Sequence, residues 1–305
     1  MNAAPPHPNP LPQGGEGTGP APCDKVSYAP IHPQPDFNLS RVRHPDVLPL
    51  EISDARVDGV TLWVWSHEPD FATALRRALE SWREGASASS GNEQANVPNF
   101  DAVYLTGGRT ADPQLRAELS KLPCAVLFSE EPVFAGEKGG FELLRARGLS
   151  GWVADLGKSQ LKLSAPGWRW SFPRDWARLR SSSDIGLQEV PAQRRRLREF
   201  IALKLQAALV ESSLSPQALV FALPSRLDDD GTPGVSSYAG MQGDRTLVRD
   251  AADLAGLPGL PLFVLNDAEL AALSARSDAR LAGFGKVLVL TLGFGIGAAL
   301  VQRAS

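Results

Sequence analysis

The chain is expected to be an α/β protein of two domains, each a mixed sheet flanked by helices. Three observations carry that expectation. Short runs rich in β-branched and aromatic residues alternate with amphipathic stretches along the chain. Apolar runs joined by turns near residues 151–170 and 287–301 read as hairpins, which add antiparallel strands to each sheet. The 305 residues, 43% of them hydrophobic, are enough to build two cores.

In chain order, residues 1–35 hold ten prolines, with Gly14, Gly15, Gly17 and Gly19 among them. Such a segment buries little and is expected to be a disordered tail. Val57-Asp-Gly-Val-Thr-Leu-Trp-Val-Trp65 reads as a strand. Asp70 caps a helix whose inner face carries Phe71, Leu75, Ala78, Leu79 and Trp82. Residues 85–99 read as a polar loop. Ala102-Val-Tyr-Leu is a buried strand ending in Thr106-Gly107-Gly108. A helix over 113–122 and a strand at Ala125-Val-Leu-Phe follow. The helix over 133–147 contains Gly136, Gly139 and Gly140, which are unfavourable there unless close packing or a ligand needs them.

Trp152-Val-Ala is a strand ending in Asp155, and Trp168-Arg-Trp-Ser-Phe is a third strand after the hairpin. Residues 190–211 form an amphipathic helix with Leu197, Phe200, Ile201, Leu203, Leu205 and Leu209 largely inward. Arg194, Arg195, Arg196 and Arg198 are assigned to its solvated face. A strand at 218–223, a turn-rich loop at 224–233 and a helix over 246–254 lead to a strand at 262–265. That strand delivers Asn266-Asp267 at its carboxyl end, where open α/β sheets bind ligands.

The net charge of −3 gives no general attraction to nucleic acid or an anionic membrane. No apolar run reaches the length of a membrane helix and no signal-peptide pattern opens the chain, so the cytoplasm is the expected location. Cys23 and Cys124 form no metal pattern and are expected as thiols.

The stretch Gly151-Trp-Val-Ala-Asp155-Leu-Gly157-Lys158-Ser159-Gln-Leu-Lys162 carries the clearest chemistry. A carboxylate at a strand end can hold Mg²⁺ through water. Gly157 lets backbone approach phosphate oxygens, while Lys158 and Ser159 supply charge, amides and a hydroxyl. The alternative is an ordinary hairpin turn. A Walker A loop is excluded, because Gly157-Lys158-Ser159 would need a glycine at Trp152. Gly293-Phe-Gly295-Ile-Gly297-Ala298 matches G-x-G-x-x-[GA], but the helix and later acid of a dinucleotide site do not follow.

Three motifs together resemble a known family. Asp155 to Lys162 fits D-x-G-x-[ST]-x-x-[KR], the first phosphate motif of the actin, hexokinase and Hsp70 superfamily. Asn266-Asp267-Ala-Glu-Leu-Ala-Ala-Leu resembles the N-D-A-N-x-A-A-L segment of ROK proteins, a family of sugar kinases and related repressors. Leu290-Thr291-Leu-Gly293-Phe-Gly295-Ile-Gly297 resembles the family's second phosphate motif, L-T-L-G-T-G-I-G. The resemblance implies a two-domain actin-like (ribonuclease H-like) ATPase fold. In the family the second phosphate motif lies near mid-chain, whereas here it closes the sequence, and Thr106-Gly107-Gly108 looks like the family's late nucleotide loop. A circular permutation is therefore expected, with 36–150 plus 286–305 as the larger nucleotide-binding domain and 151–285 as the smaller one.

The resemblance implies ATP-dependent phosphorylation of a hexose or N-acetylhexosamine, with ATP and Mg²⁺ as cofactors. Asp267 would be the catalytic base and Asn266 a sugar ligand. Phosphates would be held by Asp155 (through Mg²⁺ and water), Gly157, Lys158, Ser159, Thr291, Gly293, Gly295 and Gly297, with Gly107 and Gly108 at the nucleotide. Asn266 and Asp267 also suit a helix cap. The partner is a small-molecule sugar, with no nucleic acid and no membrane, and a homodimer stays open. The sequence departs from the pattern at Phe294, a hydroxyl residue in the family, and at Glu269, the second asparagine of N-D-A-N. Of the sugar-binding E-x-G-H, Arg41-Val-Arg-His44 matches only His44. Two alternatives stay open for these reasons: a non-catalytic sugar or nucleotide sensor, and a polyphosphate-dependent glucokinase.

Overall fold

A computed structural model of the protein describes residues 39–50, 52, 56–57, 60–61, 70–83, 99–293 and 295–303. The expected tail, nearly all of the 85–99 loop, Cys23, Phe294 and residues 36 and 305, the expected ends of a permuted core, lie outside the described residues. Four short strands come first: β1 (Leu39–Arg41), β2 (Val47–Leu50), β3 (Arg56–Val57) and β4 (Val60–Thr61). They are followed by α1 (Phe71–Arg83), β5 (Ala102–Thr106), α2 (Pro113–Leu119), β6 (Ala125–Phe128) and α3 (Ala135–Arg145). Next are β7 (Trp152–Leu156), β8 (Gln160–Ala165), β9 (Trp168–Pro173), α4 (Val190–Ser212), β10 (Leu219–Leu223), α5 (Leu247–Leu254), β11 (Leu262–Asn266) and α6 (Asp267–Arg276). The chain closes with β12 (Lys286–Leu292) and β13 (Ile296–Gln302). Among the described residues no helix is long and apolar enough to cross a membrane.

The strands form two mixed sheets and a small β3–β4 hairpin. The first sheet runs β1-β11-β10-β7-β8-β9 and the second β2-β13-β12-β5-β6. Both follow one plan. Counted from β7, the first sheet has strand order 3-2-1-4-5, with β1 added at the far edge. Counted from β12 and carried on into β2, β5 and β6, the second has the same order. In each, strands 1 to 3 are antiparallel and strands 4 and 5 run parallel to strand 1. The hairpin expected near 287–301 is formed by β12 and β13; its second arm pairs with β2 and its first arm with β5. Leu39–Arg41, grouped in the sequence reading with 36–150, joins the other sheet instead, parallel to β11. Three residues are too few for sequence pattern to choose a sheet, so backbone pairing decided it.

Alternating side chains divide the interior into layers. One face of the first sheet (Trp152, Ala154, Leu219, Phe221, Val264) packs on Leu197, Ile201 and Leu205 of α4 and Val248 and Ala251 of α5. One face of the second (Val103, Leu105, Leu288, Leu290) packs on Leu75 and Leu79 of α1 and Leu115 and Leu119 of α2. The remaining faces (Val153, Val220, Phe263 and Tyr104, Val287, Val289) share a core with α3 and α6 between the sheets. On α4, Leu203 is 54% exposed, against expectation, because a helix lying on one sheet buries a single stripe.

The glycines of α3 are explained by this middle layer. A Cβ on Gly136 would come 2.6 Å from Leu270 Cδ2, one on Gly139 2.6 Å from Ser274 N, and one on Gly140 2.6 Å from Val153 Cγ1. The missing side chains let α3 lie directly on α6 and β7, so close packing, not a ligand, is their reason. Gly139→Ala should therefore lower the melting temperature. Overpacking against backbone costs about 1–3 kcal/mol, more than the ~0.5–1 kcal/mol that alanine adds to a helix. A melting temperature unchanged or raised would show that this contact does not set the helix spacing.

Candidate functional site

The site lies in the middle layer, where strands of both sheets end. Val153 faces this layer, so Asp155, two residues on, faces it too. Lys162 sits directly opposite Asp155 across β7 and β8, and its Nζ is 2.6 Å from Asp155 Oδ2. The sequence left open whether strand alternation turns Lys162 away; paired register puts it on the same face. Asp155 Oδ1 is buried with no hydrogen-bond partner. The turn after it is closed by Gly157 N donating to Gln160 O (2.9 Å). Lys158 is half-buried, and burial, followed by the charge of Arg174, holds its ammonium below the ordinary lysine range.

Helix α6 starts at the same place. Asn266 is its N-cap: Oδ1 accepts from Ala268 N (2.8 Å), and Nδ2 donates to Ser225 O (2.9 Å). The Asn266–Glu269 spacing makes a capping box, with Glu269 Oε2 accepting from Asn266 N at 2.8 Å. Glu269 Oε1 also pairs with Arg41 Nη2 at 2.7 Å, both side chains 5% exposed. Arg41 and Glu269, two departures from the family pattern, are thus each other's partners.

Asp267 is the first helical residue, and its Oδ1 accepts from Ala268 N (2.8 Å). It is hemmed in by protein, with only partial access to solvent. Desolvation, then the charge of Asp155, pushes its carboxyl from the usual 3.8 up to about 7, with Lys162 acting weakly the other way. The second hairpin closes over it. A Cβ on Gly297 would lie 2.4 Å from Thr291 Oγ1, 3.2 Å from Ala268 Cβ and 3.4 Å from Asp267 Oδ1. Only glycine lets β13 pass this close to the helix start.

Beyond β12, Gly293 N donates to Gly295 O (3.1 Å), and among the described residues other than chain neighbours neither glycine has an atom within 4 Å of where a Cβ would stand. Gly108 is equally open, whereas Gly107 (φ 98°) is pressed against Leu292, its Cβ position 2.4 Å from Leu292 O. The Gly-Gly loop and the second hairpin therefore adjoin. Packing requires glycine at 107 and 297; at 108, 293 and 295 it leaves room for a ligand to approach backbone.

His44 is not brought to this site. Its Nδ1 accepts from Asp46 N (3.1 Å), and its ring is held below the ordinary histidine range by burial and then by Arg276. Arg276 ends α6, so His44 stands at the opposite end of the helix from Asp267. The resemblance to E-x-G-H suggested it, but the β1–β2 turn carries it the other way. Sequence reading also missed Arg174 and Tyr238, which support the Gly157–Ser159 turn from distant loops and carry no local signal. Two of the arginines assigned to solvent, Arg194 and Arg198, instead approach the buried Asp244, at 3.5 and 2.6 Å.

No family model, curated protein or solved structure matches the chain.

The Asp267 shift has a definite consequence for stability. A carboxyl whose folded pKa is raised favours the folded state in acid. Its contribution is full below about pH 4, is lost as pH rises through about 7, and is level above that. Asp267→Asn keeps the acceptor oxygen and removes the charge. The variant should match wild type in stability near pH 4 and exceed it by about 1–3 kcal/mol at pH 8. Chemical denaturation at both pH values checks this, and a variant less stable at pH 8 would mean that the ionised Asp267 is not strained.

Proposed function

We propose that this protein is an ATP-dependent sugar kinase of the ROK type, circularly permuted, acting on a hexose or N-acetylhexosamine. The observation that carries the reading is convergence. Asp267 of the second motif lies against Gly297 of the third, which also abuts Thr291, and the charge of Asp155 from the first motif acts on Asp267 between the two sheets. The shared 3-2-1-4-5 order supports a permuted actin-like fold, because β2 completes in space the sheet that β12 and β13 begin at the chain's end.

The roles follow from the chemistry of each group. Asp267, with its carboxyl near 7, is matched to a base working at neutral pH and takes the proton of the acceptor hydroxyl. The backbone at Gly295 and the Lys158 and Ser159 amides of the 157–159 turn offer donors to phosphate oxygens from the two sheets. Asp155 fits Mg²⁺ held through water, since Oδ1 is buried and without a partner while Oδ2 is neutralised by Lys162. Bound Mg²⁺ would neutralise phosphate charge. No cluster of three metal-ligating side chains occurs among the described residues, and an ion shared between one carboxylate, water and phosphate needs none.

A specific observation favours a second reading, a non-catalytic sugar or nucleotide sensor. Asn266 spends its side chain on α6 and Ser225, and Arg41 is closed on Glu269, so two positions that the resemblance assigns to sugar serve the fold here.

ADP release measured over a panel of hexoses and N-acetylhexosamines separates the readings. The kinase reading expects turnover with at least one sugar. It also expects kcat/KM to rise with pH through about 7, as Asp267 loses its proton. Asp267→Asn should cut turnover about 10²–10⁴-fold without lowering the melting temperature. Asp155→Asn should weaken Mg·ATP binding several-fold in calorimetry. A protein that binds Mg·ATP but releases no ADP with any sugar would favour the sensor.

A further inference from the structure

The Gly157–Ser159 turn is held from behind by two side chains far away in sequence. Tyr238 Oη donates to Gly157 O at 2.7 Å, and Arg174 Nη1 donates to Lys158 O at 3.2 Å. The Arg174 amide donates to Ser159 O at 2.8 Å. Three successive carbonyls are therefore tethered to residues behind the turn. The described peptide bonds are trans, and a trans peptide sets its N–H opposite its C=O. Tethering the Gly157 and Lys158 carbonyls thus turns the Lys158 and Ser159 amides to the other side. Successive amides aimed one way make an anion-binding concavity.

The two braces are themselves fixed. Arg174 is 4% exposed and donates also to Leu179 O (2.7 Å) and Ser237 O (3.3 Å). Its guanidinium lies 4.0 Å from the Trp176 ring centroid and 3.9 Å from that of Tyr238. Burial pushes the Tyr238 hydroxyl above its ordinary range, so it remains an O–H donor at any physiological pH. The loop carrying Tyr238 is tied in turn to α4, where Arg194 donates to Gly240 O and Gln242 O, both at 3.0 Å.

We propose that Arg174 and Tyr238 are positioning residues that orient the amides of the Gly157–Ser159 turn toward a bound phosphate group without touching it themselves. This rests on the phosphate-binding reading of the turn given above. Tyr238→Phe removes one hydroxyl and leaves the ring against Arg174. Calorimetry on the full chain, with Mg·ATP, inorganic tripolyphosphate and adenosine, tests the assignment. Affinity for Mg·ATP and tripolyphosphate should fall about 3–10-fold, the scale of one hydrogen bond, while adenosine affinity holds. Arg174→Lys keeps the charge but loses the planar fork and should show the same phosphate-specific loss. Should that variant fail to fold, Tyr238→Phe still decides the matter. If wild type binds both phosphate ligands and Tyr238→Phe binds them as tightly, the positioning role is overturned while the site reading stands. Equal losses for tripolyphosphate and adenosine would also overturn it, leaving Tyr238 merely structural. A wild-type protein that binds neither phosphate ligand removes the site reading and this inference with it.

Discussion

The contact of α3 with α6 is the constraint on which the rest of the molecule depends. These helices are equivalent elements of the two sheets: each follows the fifth strand of the shared order, and together they fill the space between the sheets. Gly136 and Gly139 bring α3 against Leu270 and Ser274, and Gly140 brings it against Val153. Interiors are packed tightly enough that a methyl group is felt. Wider spacing would separate the two hairpins and open the crevice. With the spacing as it is, Gly297 of one sheet meets the first turn of the helix that continues the other.

That closeness sets the electrostatics. Asp155 lies close enough for its charge to act on Asp267, and Lys162 pairs with Asp155 as its counter-ion. Asp155 has the lysine at contact distance, and Asp267 does not. The two carboxyls are therefore unequal, one neutralised by a partner and the other driven up by desolvation and by its neighbour's charge. Burial and a neighbouring charge are the usual means by which a fold raises the proton affinity of a carboxyl such as Asp267. A buried oxygen of Asp155 without a partner is a cost to the free protein that a ligand or its water can relieve.

The Arg41–Glu269 pair bears on what this crevice accepts. Burying two charges costs several kcal/mol per ion before their attraction is counted, so such a pair persists only with good geometry and further hydrogen bonds. Glu269 has both, through the capping box and through Arg41. The pair ties β1 to the start of α6, adding a side-chain contact to the backbone pairing of β1 with β11. It also fills polar capacity that would otherwise face a hydroxylated ligand, so the proposed sugar specificity must rest on groups outside this pair.

Local pattern in the sequence determined the elements and motifs. Periodicity placed α1 and α4, and the turn residues placed both hairpins, because these features depend on neighbours a few positions apart. Asn266 and Asp267, residues that suit a helix cap, likewise marked where α6 starts. Tertiary structure decided what sequence spacing cannot encode. Lys162 reaches Asp155 because of cross-strand register. His44 lies away from the site because of the course of the β1–β2 turn. The α3 glycines serve packing because of what lies opposite them. Arg174 and Tyr238 reach the Gly157–Ser159 turn from residues 16 and 81 positions away along the chain. Contacts closed over such distances leave no local mark, since each partner's immediate neighbours satisfy other demands of the fold.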